Sequence, residues 1–322
     1  MRRTLLTTGI LLACLGVSAP AAANDAWPTG PVRIIHGSAV GGGADAMTRL
    51  IAERLQAKLG KPFLVEARPG ANGTIAIMAA KAAPADGNTI LLSFSQIVQN
   101  VVQSKKTSYA LDDFAPVSQV AIHPVVLAVG EVTGIRSFSD YVAKAKATPH
   151  SVTYASFGIG STGHLIGAGL DKLARLETTH VAYKGDATTL PDLVSGRITA
   201  AYGAMGFYLQ QQEAGKVKVL AVGSPKRLGI APDVPTFGEL NYPDVNVPAW
   251  TGLFVRSGTA SDIVQRLSDE ASAIIRDPDF RKQIEKFGFE AVGSSAAEFR
   301  KTLDADLALW KGLVSLTGVT LD

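Results

Sequence analysis

The chain has 322 residues, 31 of them lysine or arginine and 28 aspartate or glutamate. Arg2 and Arg3 belong to its N-terminal leader, so the rest carries 29 basic against 28 acidic side chains, too little field to draw in nucleic acid or an anionic membrane surface. The single cysteine, Cys14, also falls in the leader, which excludes a disulfide or a thiol nucleophile from the remainder.

The first 23 residues carry the parts of an export signal. Arg2 and Arg3 form a positive start, Leu5 to Val17 is apolar, and Ala21-Ala22-Ala23 offers a small-residue cleavage site before Asn24. Leu11-Leu12-Ala13-Cys14 also fits a lipoprotein box, but the apolar run continues past it to the alanines, which favours cleavage after Ala23. The expected location is the periplasm. No later segment has about 18 apolar residues without a charge, the length a membrane span needs.

Strand-like and helix-like stretches then alternate. Val32 to Ile35 is short and β-branched, Gly41-Gly42-Gly43 turns the chain, and Met47, Leu50, Ile51 and Leu55 recur at helical spacing until Gly60. Phe63 to Val65, a helix through Ile75 to Ala83 and Thr89 to Phe94 repeat the unit. Further strands are expected at Val125 to Val129, Val152 to Ala155, His180 to Tyr183, Ile198 to Tyr202 and Val217 to Val222, with helices at Phe138 to Ala147, His164 to Leu173 and Thr188 to Val194. Such alternation predicts an α/β fold with parallel sheets.

After Trp250 to Val255 the pattern turns helical, near Asp262 to Ile275, Phe280 to Phe287 and Ala296 to Val314, the last opened by the capping box Ser295-Ala296-Ala297-Glu298. Helices without strands cannot build a sheet of their own, so they return to the first lobe. Lobe one is then discontinuous, 24–122 plus 247–322, and lobe two is the insert 123–246. Two chain crossings make a hinge with a cleft between the lobes.

Two glycine-rich loops each follow a strand and precede a helix. The first runs Ser38, Ala39, Val40, Gly41, Gly42, Gly43 to Asp45; the second runs Ser156, Phe157, Gly158, Ile159, Gly160, Ser161, Thr162 to His164. Such loops aim backbone N–H groups at one point, with a helix N-terminus behind them, and so hold anions at the carboxyl ends of the strands. Gly158 to Gly163 also fits G-x-G-x-x-G, but Glu177 precedes its strand instead of ending it, which argues against a nicotinamide cofactor. Ser161 is not in a G-x-S-x-G elbow, and the five histidines lack metal-ligand spacing, so neither a cofactor nor a metal is indicated. His164 reads as a loop brace and Asp45 as the carboxylate that pins the first loop. An exported hydrolase or isomerase using His164 or Asp45 is the competing class.

The chain resembles the Bug family, the tripartite tricarboxylate transporter receptors. The resemblance rests on Trp27-Pro28, Gly41-Gly42-x-x-Asp45, Glu66-x-Arg68-Pro69-Gly70-x-x-Gly73, Asp86-Gly87-x-Thr89, Asp113-Phe114-Ala115-Pro116-Val117, Ala155-Ser156-x-Gly158-x-Gly160-Ser161-x-x-His164, His180-Val181-x-Tyr183-Lys184-Gly185 and Pro232-Asp233-Val234-Pro235-Thr236. It implies a two-lobed periplasmic-binding-protein fold, a Venus flytrap of type II-like form, that binds a small carboxylate through the two loops. It also implies delivery to two integral membrane subunits; the receptor is expected to be a monomer, and a subunit that presents ligand to a sensor histidine kinase is a third possibility.

Three departures bear on the ligand. The family's Pro-Phe-Pro-Ala-Gly-Gly is here Gly37 to Gly42, its small residue in the second loop is Phe157, and its Asp-Asn after the strand ending at Tyr202 is Gly203-Ala204. Phe157 is expected to have taken over, from lobe two, the apolar wall that a lobe-one ring would form. An ammonium group wants a carboxylate, and with none at 203 an amino-acid ligand is not expected.

Overall fold

The structure is a computed structural model that describes residues 27–104 and 106–321; the leader, with Cys14 and the alanine site, lies outside the described residues. In chain order the elements are β1 (Val32–His36), α1 (Gly43–Leu59), β2 (Phe63–Ala67), α2 (Thr74–Lys81), β3 (Thr89–Phe94), α3 (Gln96–Gln103), β4 (Phe114–Ile122), β5 (Val125–Gly130) and α4 (Phe138–Ala147). There follow β6 (Thr153–Ser156), α5 (Thr162–Ala174), β7 (Thr179–Ala182), α6 (Asp186–Val194), β8 (Ala200–Ala204), α7 (Met205–Glu213) and β9 (Val217–Val222). The chain closes with β10 (Trp250–Arg256), α8 (Ser261–Arg276), α9 (Pro278–Glu285), β11 (Glu290–Ala291) and α10 (Ala296–Thr317).

The strands form two sheets, ordered β11-β4-β10-β3-β1-β2 and β7-β6-β8-β5-β9. The expectation of purely parallel sheets is corrected. β1 runs parallel to β2 and β3, and β6 to β7 and β8, but β10 and β5 each lie antiparallel to both of their neighbours. These two strands are the first to be laid down after the chain crosses from one sheet to the other. They enter at the cleft edge, where the parallel strands end, and must therefore run the opposite way. The two-residue β11 is a further strand where only helices were expected, an antiparallel edge on β4.

α10 ties the sheets together. Its buried Phe299, Leu303, Trp310 and Leu313 pack on β4 and α3 on one side and α5 on the other. Gly252 in β10 leaves room for the Phe299 ring, which a Cβ there would strike. The capping box at Ser295 and Glu298 is formed, with each residue bonding the other's backbone N–H. Among the described residues no helix is long and apolar enough to cross a membrane.

Candidate functional site

A cavity of about 590 Å³ lies between the sheets. Lobe one contributes Gly37 and Ser38 after β1, residues 70 to 73 after β2, and Phe94 to Gln96 with Gln99 after β3. Lobe two contributes Phe157 to Ile159, Ser161 and Thr162 after β6, Asp186 after β7 and Ala204 at the end of β8. His123, Val125 and Ala249 close it at the crossings. Every parallel strand that reaches this cavity does so by its carboxyl end, where open α/β sheets bind ligands.

The second loop is held from below. Ser156 bonds His180 Nε2 at 2.7 Å, Ser161 donates to the Gly158 carbonyl at 2.7 Å, and Gly160 N–H donates to His164 Nδ1 at 3.1 Å. His164 stacks on His180 with ring centroids 3.8 Å apart. Burial lowers the pKa of both imidazoles, and the neighbouring His164 helps bring His180 to about 4. Both rings are therefore neutral braces at pH 7. Ser156 is buried and does not line the cavity, so its contact with His180 is not a nucleophile presented to ligand. Ser161 also caps α5 through His164 N–H, leaving the N–H groups of Thr162 and Gly163 outside the helix ladder, with Thr162 on the cavity wall.

Of the residues expected to bind, Ser38, Phe157, Gly158, Ser161 and Thr162 stand on the cavity wall, whereas Ala39, Val40, Gly41, Gly42, Gly43, Asp45, Ser156, Gly160, His164 and Gly203 do not. Gly43 instead faces Phe287 and Phe289, and Val40 is 70% exposed. Asp45 is buried, accepts Gly41 N–H at 3.0 Å and His36 at 3.1 Å, and pairs with Arg49 at 3.0 Å, which holds its pKa at about 2. It pins the loop. The Gly160 carbonyl accepts from Gln103 across the lobes at 2.9 Å, and a Cβ at 160 would come within 2.6 Å of the Gln103 amide oxygen. Gly160 thus spaces the lobes.

Phe157 is 37% exposed on the wall, not packed in the core of lobe two. The expectation that the apolar wall had changed lobes is corrected in part, because Phe94 of lobe one also faces the cavity, edge-on to His123 at 4.9 Å. Phe94, Gln96, Gln99 and Asp186 are wall residues that no motif revealed.

The electrostatics are one-sided. Among the described residues no lysine or arginine lines the cavity, and burial lowers His123 to a pKa of about 4, so it is neutral. Among the described residues Asp186 is the one acidic side chain on the wall. Burial raises its pKa to about 6, and its Oδ2 accepts Ala204 N–H at 3.0 Å. Gly203 makes this possible, since a Cβ there would strike Asp186 Oδ1 and the Tyr208 ring. Asp186, from the start of α6, thus brings a carboxylate beside position 203, where the family that the chain resembles has Asp-Asn and this chain has Gly203-Ala204. Among the described residues no cluster of three or more His, Cys, Asp or Glu could hold a metal.

Two mixed sheets joined by two crossings, with a cavity between their strand ends, define a two-lobed solute-binding protein. Residues 47–319 match the tripartite tricarboxylate transporter family receptor, TctC, and the chain belongs to that family. Protein BugT of Bordetella pertussis is 31% identical over 100% of this chain and 99% of its own. Among solved structures, Rhodopseudomonas palustris Rpa4515 with adipate is 29% identical, with TM-score 0.79 over 91% of this chain and 99% of that one. MatC of the same organism, with bound malate, is 26% identical, with TM-score 0.75 over 89% of this chain and 100% of that one.

Proposed function

We propose that the protein is a periplasmic receptor, without catalysis, that closes lobes 24–122 plus 247–322 and 123–246 on a small carboxylate and delivers it to a transporter of two integral membrane subunits. It acts as a monomer, freed from its leader after Ala23. The observation that carries this reading is the α5 N-terminus, whose Ser161, Thr162 and free N–H groups stand at a cavity between lobes. The ligands named for Rpa4515 and MatC, adipate and malate, support a carboxylate here.

A thermal-shift screen over mono- and dicarboxylates tests it, because ligand at about 100 times Kd adds about 2.7 kcal/mol of stability. The expected result is saturable stabilisation with the ligand recovered unchanged. Consumption of the ligand would establish an enzyme instead, and a flat screen would remove the carboxylate reading.

A further inference from the structure

We propose that Asp186 makes this receptor selective for aminocarboxylates, its carboxylate pairing with the ligand's ammonium group while the ligand's own carboxylate lies at the N-terminus of α5. The proposal rests on the receptor reading and adds the ligand class.

Three observations carry it. Among the described residues Asp186 is the only acidic side chain on the wall, no lysine or arginine stands there, and it forms no ion pair. A half-buried carboxylate without a cation is costly, and a cationic group on the ligand would relieve that cost. The same lobe also offers neutral donors, the Thr162 hydroxyl and the free N–H groups at the N-terminus of α5, which suit one carboxylate. A ligand with carboxylates at both ends would set one of them against Asp186, a like charge in a confined space. Finally, the site is shaped for this side chain, since only glycine at 203 leaves the volume that the Asp186 carboxyl fills.

The group that acts on Asp186 besides Ala204 N–H is the Tyr208 phenol on α7, itself pushed above its usual pKa by burial and by the carboxylate. His123, across the cavity, stays neutral. Among the described residues nothing else titratable on the wall alters the charge at this position near neutral pH. With its pKa at about 6, Asp186 is mainly ionised at pH 7.5 and mainly protonated at pH 5.

Isothermal titration calorimetry on the full exported chain tests the pairing. The probes are L-alanine, L-valine, 4-aminobutanoate and 5-aminopentanoate, set against propanoate, 3-methylbutanoate, butanoate and pentanoate, and against succinate and glutarate. The expected result is an aminocarboxylate as the tightest ligand at pH 7.5. Asp186→Asn should weaken it about 10- to 100-fold and the matching simple acid less than twofold. Asp186→Glu should recover part of the loss. In the wild type, the aminocarboxylate should lose its advantage between pH 7.5 and pH 5, a readout that needs no variant to fold. Tightest binding of succinate or glutarate, or equal weakening of amino and simple acids in Asp186→Asn, would overturn the selectivity and leave the receptor reading standing. Binding of no probe by the wild type would overturn both.

Discussion

Gln99 of lobe one donates its side-chain amide to the hydroxyl oxygen of Thr162 in lobe two at 3.0 Å, with both side chains buried. The bond joins α3 to the first residue of α5, beside the groups proposed to take the carboxylate, and it exists only while the lobes are closed. Gln99→Ala is expected to shift the open–closed balance by about 1 kcal/mol, weakening ligand about fivefold. Small-angle scattering of the ligand-free variant should show a larger radius of gyration than the wild type. An unchanged radius and affinity would remove Gln99 from the closure device.

The far rim of the cleft closes by backbone contact. A Cβ on Gly206 of α7 would lie 2.5 Å from the Cα of Gly288, which has a φ of +77° and belongs to the other lobe. Gly206→Val should wedge the lobes apart, cutting affinity more than tenfold with little change in the ligand-free melting temperature. Ligand would then fail to shrink the particle in scattering. Full affinity in this variant would mean that binding does not require the contact.

Phe94 and Phe157 face the cavity from opposite lobes, so each should cover part of the ligand's carbon skeleton. Truncating either to alanine removes apolar contact worth about 1–2 kcal/mol, at roughly 25 cal/mol per Å². The measured loss should be larger for ligands with longer carbon chains. Equal losses for short and long ligands would place both rings off the skeleton. Because Phe94 already fills the lobe-one side, Ser38→Phe should not rescue Phe157→Ser.

Where a segment follows one hydrophobic period, the sequence shows the element. The strands Thr89–Phe94 and Val217–Val222 and the helix Phe138–Ala147 stand where alternation and spacing put them, and Ser295 with Glu298 marks the start of α10. α3 escaped because it buries amides: Gln99, Asn100 and Gln103 take the inward positions that apolar residues would mark. β4, with Pro116 near its start and Ser118 and Gln119 buried, shows no alternation. Asp186 was invisible for a different reason. Its place on the wall depends on a missing side chain at 203, and no local pattern connects the two positions. Asp45 and His164 were legible as loop braces because each lies within one helical turn of the loop it holds.

The stacked histidines make the second loop sensitive to acid. His180 has an ordinary pKa near 6.5 when unfolded and about 4 in the fold, lowered by burial and by His164. The unfolded chain therefore takes up the proton first as pH falls, and stability present above pH 6.5 is lost progressively down to about pH 4. His180→Gln, which keeps a partner for Ser156, should flatten this loss by about 2 kcal/mol. Denaturant unfolding at pH 7 and pH 4.5 measures it. A variant with the wild type's full pH dependence would assign the acid sensitivity to other groups.

Asp306 works in the opposite direction, at the helix that joins the sheets. It is buried, accepts Trp250 Nε1–H at 3.0 Å, and burial raises its pKa to about 7. Below about pH 4 the carboxyl is protonated in both states. Between pH 4 and pH 7 the unfolded chain ionises while the fold keeps the proton, so this group's contribution to stability falls as pH rises through that window. Asp306→Asn offers the Trp250 indole a similar acceptor and never ionises. It should match the wild type within about 0.5 kcal/mol at pH 4.5 and exceed it by about 1–3 kcal/mol at pH 8. Urea unfolding at the two pH values reads the difference, and a gap that stays constant with pH would show that Asp306 does not carry a raised pKa in the fold. Ligand affinity at pH 8 should be unchanged, because the residue lies away from the cavity wall.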